Sequence, residues 1–212
     1  MARRLPVYLL LDTSGSMRGE PIQSVNVGLQ AMLSALRTDP QALDTVHLCV
    51  ITFDAQVQVV APLTPLDQVQ LPEIRTPESG PTFLGRALEL VCQCIDREVR
   101  KNTTDAKGDW MPLLFVMTDG SPSDLQVFRE QVAEIKRRSF SKIIACAAGP
   151  KAKEAFLREL TDTVVSLDTM DSATFRQYFK WVSDTVSSGG RSVGAADGFA
   201  LPPAPPEVQY VH

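Results

Sequence analysis

Histidine is scarce in this sequence: only His47 and His212 occur in 212 residues. His47 falls inside an apolar strand-like run and His212 stands at the terminus, so no base is evident for a serine nucleophile, and His47 reads as a packed residue. The four cysteines, Cys49, Cys92, Cys94 and Cys146, are embedded in apolar segments. That placement argues for buried thiols and against a disulfide framework or a zinc site, both of which favour paired ligands in loops. No apolar run is long enough to span a bilayer, so no membrane association is expected. The stretch Leu5 to Leu11 is too short for a signal peptide, contains Pro6 and ends on an acid without a small-residue cleavage pattern, so it reads as a first strand and the expected location is cytoplasmic. Positive charge is not in excess either: 21 Lys and Arg against 25 Asp and Glu leave a net charge of -4 and a pI near 5.2. Such a balance offers no electrostatic footprint for nucleic acid. A phosphate-cradling Gly-x-x-x-x-Gly-Lys-Ser/Thr loop and internal repeats are also missing.

What the sequence does contain is a single globular domain's worth of apolar periodicity. Of its residues, 44% are hydrophobic and 22% charged, enough for one core that buries roughly 70% of the unfolded surface. Leu5 to Leu11 and Leu113 to Met117 read as strands covered on both faces. Behind Pro21, the apolar residues Ile22, Val25, Leu29, Met32, Leu33 and Leu36 recur at helical spacing. Val46 to Phe53 predicts a strand, and the alternation of Gln56 to Val60 predicts its antiparallel partner at a sheet edge. Residues 61–81 hold five prolines and predict a long irregular connection. A helix follows Thr82, then a loop over 101–111, helices over Leu125 to Arg138 and around Lys153 to Leu160, strands over Lys142 to Ala148 and Val164 to Leu167, and a last helix over Ser172 to Val186. This alternation predicts an α/β fold: a doubly wound, mostly parallel sheet with one antiparallel edge strand and helices on both faces. Residues 1–187 form the expected domain. Residues 188–212, rich in Gly, Ser, Ala and Pro, read as a flexible tail able to adopt polyproline geometry.

The chemistry concentrates at strand ends. Asp12 closes the first strand, and Asp12-Thr13-Ser14-Gly15-Ser16-Met17 alternates oxygen donors with short spacers, so a turn can aim Asp12, Ser14 and Ser16 at one point. The Leu113 strand ends likewise in Thr118-Asp119-Gly120-Ser121-Pro122. In open parallel sheets, ligands bind beyond the carboxyl ends of strands where the winding reverses, and both acids fall there if these strands are neighbours. Thr82, in Gly80-Pro81-Thr82-Phe83-Leu84-Gly85, supplies a further hydroxyl just before a helix. Hard oxygen donors gathered in this way suit a small divalent cation. The alternative for Ser and Asp at such boundaries is helix capping and turn closure without metal, and for Asp124 the N-cap reading is preferred. Asp54 and Glu20 read as solvated rim charges.

The ordered pieces Asp12-x-Ser14-x-Ser16, Thr82 and Asp119 resemble the metal-ion-dependent adhesion site of von Willebrand factor type A domains, over about residues 5–187. Gly80-x-Thr82-x-Leu84-Gly85-x-Ala87-Leu88 and Met117-Thr118-Asp119-Gly120-x-Pro122-x-Asp124 are similar to the bacterial TerY-like branch, associated with tellurite-resistance and stress gene clusters. Pro81 stands where many members have glycine. The resemblance implies a non-enzymatic module that holds Mg²⁺, with Mn²⁺ or Ca²⁺ as alternatives, through Asp12, Ser14, Ser16, Thr82 and Asp119. It further implies a protein partner whose Asp or Glu completes the metal's shell, phosphatase and kinase components of the same gene cluster being candidate partners. Met17, Pro81, Phe83 and Ser121 are the expected partner-binding rim. Two competing classes remain at this point: a Mg²⁺-dependent phosphatase using Asp12, disfavoured because the second acid such enzymes need is replaced by Ser14, and a domain whose cation only stabilises the fold.

Overall fold

The computed structural model describes residues 3–77, 80–192 and 200–211. Seven strands form one sheet in the spatial order β3-β2-β1-β4-β5-β6-β7. Strands β1 (Leu5–Asp12), β2 (Val46–Phe53), β4 (Leu113–Thr118), β5 (Lys142–Ala148) and β6 (Val164–Leu167) run parallel. The expected antiparallel edge is β3 (Val57–Pro65), paired with β2. It runs further than the sequence suggested, because Pro62 and Pro65 lie in an edge strand where a missing N–H is tolerated. Helices return the chain to each later parallel strand, as connectivity demands: α1 (Glu20–Thr38) and the short α2 (Pro40–Thr45) before β2, α3 (Leu84–Glu98) before β4, α4 (Leu125–Lys136) before β5 and α5 (Glu154–Leu160) before β6, while α6 (Ser172–Ser192) follows β6. The sequence reading had no counterpart for α2, which Asp39 caps by accepting from the Gln41 and Ala42 amides.

Period-two alternation divides the sheet's side chains between two cores. Val7, Leu9 and Leu11 of β1, with Leu113, Phe115 and Met117 of β4, pack against α1 and α6. Tyr8 and Leu10, with Leu114 and Val116, pack against α3, α4 and α5. Helices therefore cover both faces, which is why the strands read as continuous apolar runs. The α1–α6 contact is close enough that a methyl on Gly28 would stand 2.2 Å from Phe179 Cδ2.

The segment expected as a tail departs from that reading at both described ends. Helix α6 continues past 188 to Ser192, and beyond 200 the chain returns to the domain. There Val208 is buried, the Trp181 indole donates to the Pro202 carbonyl at 3.1 Å, and Gln209–Tyr210 forms a second antiparallel edge, β7, on β6. The apolar residues Leu201, Ala204 and Val208 drive this return, offsetting the chain entropy that its prolines already reduce.

Candidate metal centre

The winding reverses between β1 and β4, which lie side by side, so their carboxyl ends open onto one crevice. Asp12 is fully buried there. One of its carboxylate oxygens accepts the Ser14 amide at 2.7 Å and the other accepts the Thr118 hydroxyl at 2.5 Å. The β1–β4 register, which pairs Leu11 with Met117, sets Thr118 beside Asp12. The loop after β1 is anchored by the Thr13 amide on the Phe53 carbonyl at 2.8 Å and by the Thr13 hydroxyl on Asp54 at 2.8 Å. It then makes one 3₁₀ turn, Gly15–Met17, closed by the Met17 amide on the Ser14 carbonyl. This turn leaves the hydroxyls of Ser14 and Ser16 3.3 Å apart, and Ser16 donates to Asp119 Oδ1 at 2.9 Å. Gly19, at φ +88°, supplies the left-handed residue that lets α1 begin immediately afterwards.

Thr82 arrives from the loop before α3. Its amide donates to the Ser123 hydroxyl at 3.0 Å and its carbonyl accepts the Ser123 amide at 2.8 Å, which ties the α3 entrance to the loop after β4. Its hydroxyl faces Gly120: a methyl there would lie 3.4 Å from Thr82 Oγ1. Residues from three separate loops thus meet at the end of β1 and β4.

The charge balance of this cluster is unfavourable by itself. Burial pushes the Asp12 carboxyl up to about 6, opposed by the bonds from Thr118 and Ser14 and reinforced by the Asp119 charge. Burial also raises Asp119, against the Ser16 bond and the more distant Lys151 ammonium. Two acids and three hydroxyls, with no nitrogen or sulfur donor, match the preference of a hard divalent cation, and its charge would relieve both carboxyls. Among the described residues no three His, Cys, Asp or Glu side chains gather at one point. A metal held by this chain therefore relies on hydroxyls as much as on acids.

Of the expected rim, Pro81, Phe83 and Ser121 are partly exposed, and the Arg86 guanidinium lies 4.7 Å over the Phe83 ring. Met17 is not a rim residue: it is 0% exposed, because the 3₁₀ turn rotates it inward onto the α1-side core. Asp124 does precede α4, but its carboxylate reaches across to α3, accepting the amides of Gly85 at 3.0 Å and Arg86 at 2.8 Å. Asp54 is no free rim charge, since it takes the Thr13 hydroxyl and the Gln56 amide. Glu20 is exposed in the first turn of α1. Thr118, Ser123, Asp54 and Asp124 are the positioning residues that sequence reading missed. Thr118 and Asp124 belong to the Met117–Asp124 motif, but the partners of all four lie in other elements and leave no local signature. One Gly-x-Ser-x-Gly string does exist, Gly190 to Gly194, but Ser192 ends a helix, whereas a nucleophile elbow places its serine at a strand-to-helix turn. All four cysteines are free and buried, as expected.

The von Willebrand factor type A domain profile matches residues 7–187. This chain belongs to that family. Solved structures similar to this VWA domain include proximal thread matrix protein 1 from the mussel byssus with a zinc-occupied MIDAS motif (16% identity, TM-score 0.60, covering 89% of this chain and 46% of that one). Others are the pilus adhesin SpaC from Lactobacillus rhamnosus GG (11%, TM-score 0.69, 89% and 31%) and a von Willebrand factor type A protein from Catenulispora acidiphila (18%, TM-score 0.59, 88% and 43%). At these identities the likeness establishes the fold, and this VWA domain spans about half the length or less of those chains. A comparison with curated proteins gives no match. VWA domains as a family bind protein partners, with metal-dependent adhesion as their general mode. No helix among the described residues is long and apolar enough to cross a membrane.

Proposed function

We propose that this VWA domain is a metal-dependent protein-binding module without catalysis of its own. In this reading Asp12, Ser14, Ser16, Thr82 and Asp119 hold Mg²⁺, with Mn²⁺ or Ca²⁺ suited to the same oxygen set, and a partner's Asp or Glu carboxylate is captured at the site. The observation that carries it is the continuous row of oxygens linking Ser14, Ser16 and Asp119 beside a buried Asp12 that has no cationic neighbour among the described residues. A bound divalent cation would supply an electron-poor centre for an anionic oxygen. The chain's own contribution is placement. Thr118 and the Ser14 amide fix both Asp12 oxygens, Asp54 fixes the loop through Thr13, and Ser123 fixes Thr82. The neutral hydroxyls leave the site less negative than an all-carboxylate cage, which favours acceptance of a further carboxylate.

The finer setting, a bacterial tellurite-resistance or stress-response complex in the cytoplasm with phosphatase and kinase components as partners, rests on the motif resemblance of Gly80 to Leu88 and Met117 to Asp124. The test is a pulldown in Mg²⁺ from bacterial cells that carry the gene, followed by elution with chelator. Partners that elute with EDTA and are not captured by Ser16→Ala support the reading. Equal capture with and without Mg²⁺ overturns it, and a calorimetric titration in which Asp119→Ala keeps wild-type Mg²⁺ affinity overturns the ligand set.

A further inference from the structure

At the opposite pole, where the parallel strands begin, two clefts of about 550 and 300 Å³ adjoin through Arg138, which lines both. Six cations and three acids line them, a positive excess on a chain whose net charge is -4. The acids are largely engaged by the frame. Asp96 holds Arg138 at 2.5 Å, while Asp109 holds Arg4 at 2.5 Å and the Arg100 amide at 2.8 Å, leaving Asp162. By contrast Arg100, Lys101, Lys136 and Lys142 form no ion pair with a described residue. Arg100, Lys136 and Lys142, together with Lys101, which feels Asp96 only at longer range, therefore face one uncommitted acid. Met111, which lines the larger cleft next to the partly exposed Trp110, is 54% exposed, a large and adaptable apolar side chain.

These features select the occupant. The Arg3 guanidinium lies 3.5 Å over the Trp110 ring, so this ring face is already covered and offers no platform for stacking a base. The chain's overall negative charge also opposes approach to a phosphate polymer or an anionic bilayer at long range. A short acidic segment carries few charges, so the same long-range repulsion acts on it only weakly, while at contact its carboxylates complement the unpaired cations and an apolar residue within it covers Met111. We propose that this pole is a second docking surface, which binds an acidic peptide segment carrying an apolar anchor, independently of the metal site. The domain would then join two partners from its two ends.

The test uses the whole chain in EDTA, which removes the metal site's contribution, and follows fluorescence anisotropy of a labelled short peptide of glutamates flanking two leucines. Binding is expected in chelator and in Asp119→Ala, with affinity falling as salt is raised. The double variant Arg100→Glu with Lys101→Glu should weaken it by at least about tenfold, and Met111→Ser should weaken it as well, with circular dichroism unchanged because all three side chains are exposed. Lys151→Glu, at the metal end, should leave it unaltered. Absence of peptide binding, insensitivity to the charge reversals, or capture of an oligonucleotide or phosphatidylserine vesicles in place of the peptide overturns the proposal.

Discussion

Replacing Asp12 by asparagine isolates the electrostatic cost of the site. A buried carboxyl held at about 6 instead of its ordinary 3.8 costs roughly 3 kcal/mol when ionised at neutral pH. The sign follows from the raised folded value: the contribution to stability is fully present below the unfolded pKa near 4 and is lost as pH rises through about 6. In chelator at pH 7.5, Asp12→Asn removes that cost. It introduces a smaller one, about 1 kcal/mol, because the amide has one acceptor where the carboxylate offered two, to Ser14 and to Thr118. The Thr118 hydroxyl can turn to accept from the new NH₂, which limits the loss. The net expectation is a gain of about 2 kcal/mol, or a melting temperature higher by roughly 4–8 °C for a domain of this size. At pH 4.5 the gain should vanish, since wild-type Asp12 is then protonated. Saturating Mg²⁺ should stabilise the wild type by about 3 kcal/mol at a hundredfold excess over Kd and leave the variant where it was. Scanning calorimetry with and without Mg²⁺ at the two pH values reads all four states. A variant less stable than wild type in chelator at pH 7.5, or one that still gains with Mg²⁺, refutes the account of Asp12 as a strained acid awaiting a cation.

Asp124→Ala uncaps α3 by orphaning the Gly85 and Arg86 amides and should cost about 1–2 kcal/mol in urea titration, with weaker Mg²⁺ binding because Thr82 precedes that helix. Gly85→Ala places a methyl 2.4 Å from the Phe128 backbone nitrogen, which cannot retreat as a side-chain tip would. A loss of about 3 kcal/mol is expected, and a loss under about 1 kcal/mol would mean that α3 and α4 can part freely. Ending the chain at residue 200 strips the Pro202 acceptor from Trp181 and the buried Val208 from the core, and should lower stability by about 2–4 kcal/mol with a red shift of Trp181 emission.

The cluster of candidate donors is legible because they sit at element boundaries that sequence marks well: Asp12 and Asp119 end apolar runs, and Thr82 precedes a helical pattern. Met17 was misplaced because a 3₁₀ turn too short to leave a periodicity decides which way it faces. Asp124 looked like a cap for its own helix, and only the α3–α4 packing shows which amides it serves. The tail was misread for a related reason. Its Pro-rich composition signals extended chain, but whether that chain packs depends on the complementary surface of Trp181 and the open edge of β6, neither of which is local.

Local pattern alone determined the parallel strands, their burial on both faces, their alternation with helices and the oxygen donors that follow them, because apolar period and chain connectivity are written residue by residue. Tertiary structure alone decided the contacts that cross between elements: Thr118 on Asp12, Asp54 on Thr13, Asp124 on α3, the return of residues 200–211, and the gathering of Arg100, Lys101, Lys136 and Lys142 at one pole. Such contacts join residues far apart in the chain, and their partners are selected by packing geometry that no single segment carries.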